Sequence, residues 1–303
     1  GLPLGSAVGT VDALRVGADV SGSWTPRFNN VGFPFKNEKH MPSARNSIQN
    51  ILTRAFMHDT LWINDPDCLL VRKETQLNEH EIISLATVIS LTSGSIFFSD
   101  DITALPADRI DLVASLLPPI GKRAWIVDWL DAKTPSRLRL DLSNCLGSWH
   151  ILAAFNWKDE SQVVSLLPSH YFLDDRDYYV SSFWERISWK SDVHAPLYQG
   201  VLAPHACVTL AVRTTQPGSI YIGSNLHISQ GLEIKQWQDS LHKLKVSFDT
   251  QRVAEGYADI KLNIPPKAVS LSQNKPVKWE YMFNGIYRFE IMIDHVEDLI
   301  IQM

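Results

Sequence analysis

The chain has 303 residues, 45% of them apolar and 20% charged, with a formal net charge of −5. This composition excludes a disordered chain, and the acidic balance argues against nucleic acid or an anionic membrane surface as partner. No run approaches the ~20 apolar residues of a membrane span. Three distant cysteines, Cys68, Cys145 and Cys207, match neither a disulfide framework nor a zinc spacing, so a reducing, cytoplasmic compartment is expected. Asp12 and Arg15 interrupt the apolar N-terminus, which does not read as a signal peptide. The chain opens on Gly1, and its first residues read like the middle of a fold; it is expected to be the C-terminal part of something longer.

Leu14 to Val20 reads as a strand. Ser43 to Met57 follows Pro42 and reads as a helix, with Ile48, Ile51, Leu52, Ala55 and Phe56 at helical spacing. Leu61 to Ile63 is a short apolar strand, and Asn64-Asp65-Pro66-Asp67 is expected to turn directly after it. Asn78 and Glu81 have capping-box spacing ahead of a helix rich in Ile, Leu and Val, which Gly94 is placed to end. Ser95 to Ser99 reads as a buried strand. Pro106 opens a last helix, with Ile110, Val113, Leu116 and Leu117 facing inward, and Pro118-Pro119 stop it. Strand-helix alternation of this kind implies parallel βαβ units, but three strands cannot close a barrel of eight. The period then changes to two, as in Leu138, Leu140 and Leu142, Val208, Leu210 and Val212, and Tyr287, Phe289, Ile291 and Ile293. Antiparallel sheets, each with one wet face and packed as a β-sandwich, are expected after a boundary near residues 131–135.

On a strand, Arg15, Gly17 and Asp19 share a face. That face carries a cation, a gap with room for a ligand, and a carboxylate. A solvated Arg15–Asp19 ion pair in a surface turn is the competing reading. The turn after Ile63 is structural or a brace for the site. Asp100 and Asp101 are adjacent, so they suit capping or turn formation better than a catalytic pair. His58 reads as a satisfied structural histidine, and His150, His170, His194 and His205 match no metal spacing. Trp149, Trp157, Trp184 and Trp189 suit packing better than a sugar platform. No nucleophile elbow, P-loop or dinucleotide fingerprint occurs.

Several strings resemble the α-galactosidases of glycoside hydrolase family 36, especially their compact bacterial and archaeal branch. They are Pro3-Leu4-Gly5, Val11 to Val20, Ala44-Arg45-Asn46, Phe56-Met57-His58-Asp59, Trp62 to Arg72 and Ser99-Asp100-Asp101. Weaker likeness continues in Phe155-Asn156-Trp157 and His227 to Gly231. The resemblance implies α/β plus all-β: residues 1–132 as the C-terminal portion of a (β/α)8 barrel, about three βα units, and 133–303 as an antiparallel β-sandwich. It implies a retaining hydrolase of terminal α-linked galactose, with Asp19 as acid/base and Arg15, Gly1 and Gly17 at the sugar. No cofactor or metal is required. The family's nucleophile aspartate, in a Lys-x-Asp strand, has no match here. Little turnover is therefore expected alone, and the missing N-terminal barrel half, a partner chain or a homo-oligomer would complete the site. A non-catalytic carbohydrate-binding or inactive truncated relative, or one specific for α-N-acetylgalactosamine or galactosyl transfer, is the alternative.

Overall fold

The structure is a computed structural model that describes residues 4–28, 31–32, 40–92 and 94–303. A single helical turn, α1 (Leu4–Ala7), precedes β1 (Ala13–Arg15), and β2 (Arg27–Phe28) pairs antiparallel with β3 (Val31–Gly32). Helix α2 (Ala44–Arg54) starts where expected, because the Ser43 side chain accepts the Asn46 N–H at its N-terminus. A 3-10 turn, Ala55–Met57, continues it. Next come β4 (Ile63–Asp65), β5 (Cys68–Leu69), α3 (Glu79–Thr92), β6 (Phe97–Phe98), α4 (Ala107–Ala114) and β7 (Trp125–Ile126). The β1–β4 and β5–β6 pairs are both parallel, as βαβ units require.

Several expectations change. The first strand stops at Arg15, because the chain bends at Gly17 and Ala18. The second strand is Ile63–Asp65, so Asn64 and Asp65 lie within it rather than in a turn after it. β6 is two residues long and Phe97 is exposed, so that strand is not buried. In α4 the buried face holds Leu112, while Ile110 faces outward. Gly94 acts sterically rather than as a left-handed helix cap: a Cβ there would lie 2.6 Å from His58 Cε1.

The Asn78 box forms fully, with Asn78 Oδ1 accepting the Glu81 N–H at 3.0 Å and Glu81 Oε2 accepting the Asn78 N–H at 2.9 Å. The other Glu81 oxygen lies 2.7 Å from His205 Nδ1, and the His205 ring stacks on Trp24 at 4.2 Å between centroids. One carboxylate thus caps α3 and anchors a residue far along the chain.

The β region contains β8 (Arg137–Asn144), β9 (Gly147–Phe155), β10 (Gln162–Leu166), β11 (Tyr178–Ser182), β12 (Ile187–Ser191), β13 (Tyr198–Leu202), β14 (Cys207–Thr214), β15 (Ile220–Ser224), β16 (Ile234–Ser240), β17 (Lys243–Lys261), β18 (Ala268–Ser270), β19 (Trp279–Phe283) and β20 (Ile286–Gln302). One six-stranded sheet runs β12-β11-β14-β9-β8-β7. Another runs β15-β17-β20-β18, with β16 on β17 and β19 on β20. The alternation in β8 holds, since Leu138, Leu140 and Leu142 are buried. In β14 it does not: Thr209, Ala211 and Arg213 are as buried as Val208, Leu210 and Val212. Central strands here are covered on both faces, so the single wet face expected of each sheet is not general. Among the described residues two compact units result, 1–140 with 153–164 and 200–207, and 141–152 with 165–199 and 208–303. The second holds a continuous apolar core that includes Leu244, Val246, Phe248, Ile260, Phe289 and Ile293.

His58 is buried and its Nδ1 accepts the Asn64 N–H at 3.2 Å, a satisfied structural role. Burial pushes its pKa below the ordinary imidazole value, Asp59 opposing the shift and Arg123 adding to it. The unfolded chain therefore takes up this proton more readily than the folded one. The stability contributed is complete above about pH 6.5 and falls as pH drops toward the lowered folded value. Urea unfolding across this range should show a midpoint that declines on the acid side, and His58→Gln should flatten that decline.

Candidate functional site

Parallel pairing places Arg15 in register with Asp65, so their side chains leave the same face of adjacent strands. Arg15 Nε lies 3.1 Å from Asp65 Oδ2, and its Nη1 lies 3.1 Å from both Asp67 Oδ2 and Asp19 Oδ1. One guanidinium thus faces three carboxylates. No cluster suited to a metal occurs among the described residues. These carboxylates favour the charged guanidinium more than its burial penalises it, and the Arg15 pKa is raised.

The three acids are not equivalent. Asp65 Oδ1 accepts the Asp67 N–H at 2.7 Å, and Asp67 Oδ2 accepts the Val20 N–H at 2.7 Å. Asp67 has a left-handed φ of 71° and its side chain is only 10% exposed. Asp19 is 78% exposed, and among the described residues its only partner is Arg15. The two neighbouring parallel strands close by a similar device. The buried Asp100 carboxylate accepts the Val71 N–H at 2.7 Å and the Arg72 N–H at 2.9 Å, and it also binds the Arg72 guanidinium. Arg15, Asp19, Gly22, Asp67, Cys68 and Arg72 line an open cavity of about 290 Å³.

The residues singled out in the sequence have mixed fates. Arg15 and Asp19 come together, as the solvated-pair reading has it, and both border the cavity. Arg15, which the resemblance puts at the sugar, contacts Asp19 and also Asp65 and Asp67. Gly17 does not make room for a ligand: a Cβ there would lie 3.1 Å from the Asn50 Cβ, so its role is close packing on α2. Gly1 lies outside the described residues. Asp101 caps a 3-10 turn through Thr103, as expected. The sequence reading has Asp67 in a structural or bracing turn and Asp100 in capping or turn formation, but not their remote partners Val20, Val71 and Arg72. Their signal is an acid just beyond a short apolar run, which a turn explains equally well. Trp149 is buried and donates its indole N–H to Ser229 O at 2.9 Å, and Trp157 stacks on Phe155 at 4.6 Å, so both serve packing.

No family model matches the chain. Solved structures do. An α-galactosidase I from Mortierella vinacea aligns with 70% of this chain and 56% of its own length, at 15% identity and a TM-score of 0.52. A family 27 β-L-arabinopyranosidase from Geobacillus stearothermophilus, in complex with arabinose, aligns with 71% of this chain and 48% of its own length, at 12% identity and a TM-score of 0.53. At this identity the likeness establishes the fold: part of a TIM barrel followed by an antiparallel β domain. The chain spans about half the length of these proteins.

Removing the guanidinium leaves two largely buried carboxylates side by side with no counter-charge. Arg15→Met is expected to lower unfolding stability by about 1–3 kcal/mol, read by urea titration. Arg15→Lys should restore only part of it, because an ammonium cannot face three acids with a planar fork.

Proposed function

We propose that the chain is the acid/base-bearing part of a retaining α-galactosidase-like glycoside hydrolase related to family 36, with residues 1–132 as barrel portion and 133–303 as β-sandwich. The observation that carries this reading is the convergence of Arg15, Asp19 and Asp67 on an open cavity beside the ends of parallel strands, within a fold shared with glycosidases. Active sites of such barrels lie at the C-terminal ends of their strands.

Asp19 is the proton donor in this reading. Asp65 and Asp67 each accept a backbone N–H, whereas Asp19 accepts none among the described residues. A sugar filling the cavity would exclude water from Asp19, which would protonate the leaving oxygen and then activate water. Retaining chemistry also needs a nucleophile carboxylate about 5 to 5.5 Å from the acid. Asp65 and Asp67 are committed to Arg15 and to backbone, so a companion segment or partner chain supplies it. Turnover by this chain alone is therefore small, because the residues of such a site act as a unit. No cofactor enters the mechanism.

Sugar binding without cleavage is the second reading. The 78% exposure of Asp19 favours it, since a general acid works in a site that excludes water. Choice among galactose, N-acetylgalactosamine and galactosyl transfer belongs to the same proposal.

Galactose at about a hundred times its Kd should stabilise the fold by about 2.7 kcal/mol, visible as a rise in Tm. Absence of any shift would remove the galactoside reading. Any hydrolysis of p-nitrophenyl α-galactoside by the chain would exclude the binding-only reading, and Asp19→Asn should then cut the rate about 10²–10⁴-fold. A variant as fast as the parent would end the role assigned to Asp19.

A further inference from the structure

The second unit contains a cavity of its own, of about 400 Å³, within the range of small-molecule sites. Cys145, Ser148, Arg213, Gln216, Tyr221 and Trp237 are among its lining residues. Its two rims are fixed by hydrogen bonds. Asn144 at the β8–β9 turn donates to Gly231 O at 2.8 Å and Ile234 O at 3.1 Å, and it accepts the Leu146 N–H at 2.9 Å. On the β14–β15 loop, Ser219 N–H donates to Asp239 Oδ2 at 2.9 Å, and Lys261 Nζ donates to Gly218 O at 3.2 Å. The cavity is therefore preformed.

Its floor is Arg213, buried between the rings of Trp149 and Tyr221, with the guanidinium carbon 4.9 Å and 5.4 Å from the ring centroids. Arg213 donates to Ile222 O at 2.8 Å and Gln230 O at 2.5 Å, while its buried Nε has no hydrogen-bond partner among the described residues. Its charge is balanced nearby by Glu233, whose Oε1 accepts from Tyr221 Oη at 2.8 Å and Ser224 Oγ at 2.7 Å. Among the described residues, no carboxylate lines the cavity. The walls offer a half-buried indole, Trp237, set edge-on to Tyr221, alongside the Ser148 hydroxyl and the Gln216 amide. An aromatic face with several neutral donors and acceptors, and no uncompensated charge, matches a neutral polyhydroxylated ring better than an anion.

We infer that this cavity is a second binding site, independent of the Arg15 cluster, for a neutral mono- or disaccharide held against Trp237 and hydrogen-bonded by Gln216 and Ser148.

Two thiols make the test site-specific. Cys145 is exposed and lines this cavity, whereas Cys68 lines the other. Burial is the main influence that pushes both thiols above the ordinary cysteine value, so alkylation by iodoacetamide is followed at mildly alkaline pH. Peptide mass spectrometry of the full chain reads each cysteine separately in galactose, glucose, melibiose or inorganic phosphate. At ten times Kd, the effective sugar should slow Cys145 alkylation about tenfold by mass action. Asp19→Asn should leave that protection intact. Trp237→Ala should abolish it, and Gln216→Ala, on an exposed loop and independent of the core, should weaken half-protection about three- to tenfold. The inference is overturned if no sugar protects Cys145, if phosphate alone does, or if Gln216→Ala protects as well as the parent. Protection of Cys68 alone would support the catalytic-site reading and reject this one.

Discussion

A carboxylate that grips a neighbouring backbone N–H, beside an arginine, is the interaction on which the first unit depends. Asp67 holds Val20 N–H and faces Arg15, and Asp100 holds Val71 and Arg72 N–H groups and the Arg72 guanidinium. Asp128 holds Ser136 and Arg137 N–H groups, with the Arg137 Nε 3.6 Å away. The strands at the first two junctions are two or three residues long, so their ladders supply few hydrogen bonds. Charge-assisted bonds to loop amides supply what the ladders lack. They also leave ionised groups at the strand ends, so the device that fixes the loops builds the cavity rim.

That coupling explains why Asp19 differs from its neighbours. An acid engaged by backbone donors is held in one position by them. Asp19 extends past the last strand residue, beyond the bend that Gly17 permits against α2, and carries no such engagement among the described residues.

Local and periodic features were legible in the sequence. The Asn78–Glu81 box spans three residues, and the apolar repeats of β8 and β20 follow directly from strand pleating. The parallel βαβ character followed from alternation alone. The Arg15 and Asp19 pairing was also visible, because the two are four residues apart. What could not be read was the partner across the fold. Val20 and Asp67 are 47 positions apart, and Val71 and Asp100 are 29 apart, and no spacing rule links them. Gly17 and Gly94 were read as space and as a cap; both are contacts with side chains remote in sequence, Asn50 and His58.

Arg213 shows the same limit in the second unit, and its cause is burial on both faces of a strand. Alternation predicts that every second residue of β14 meets water, yet the chain places Thr209, Ala211 and Arg213 inside. A charge in that position must find neutral acceptors and a nearby counter-charge, or the strand is lost. Two carbonyls, two aromatic faces and the Glu233 network meet that demand. Gly231 allows it sterically, since a Cβ there would lie 2.7 Å from Arg213 Nη2 and 2.8 Å from the Trp149 ring. Once so many groups are satisfied in one arrangement, the surrounding loops have little freedom to collapse into the space beside them, and an open cavity persists in an otherwise close-packed unit.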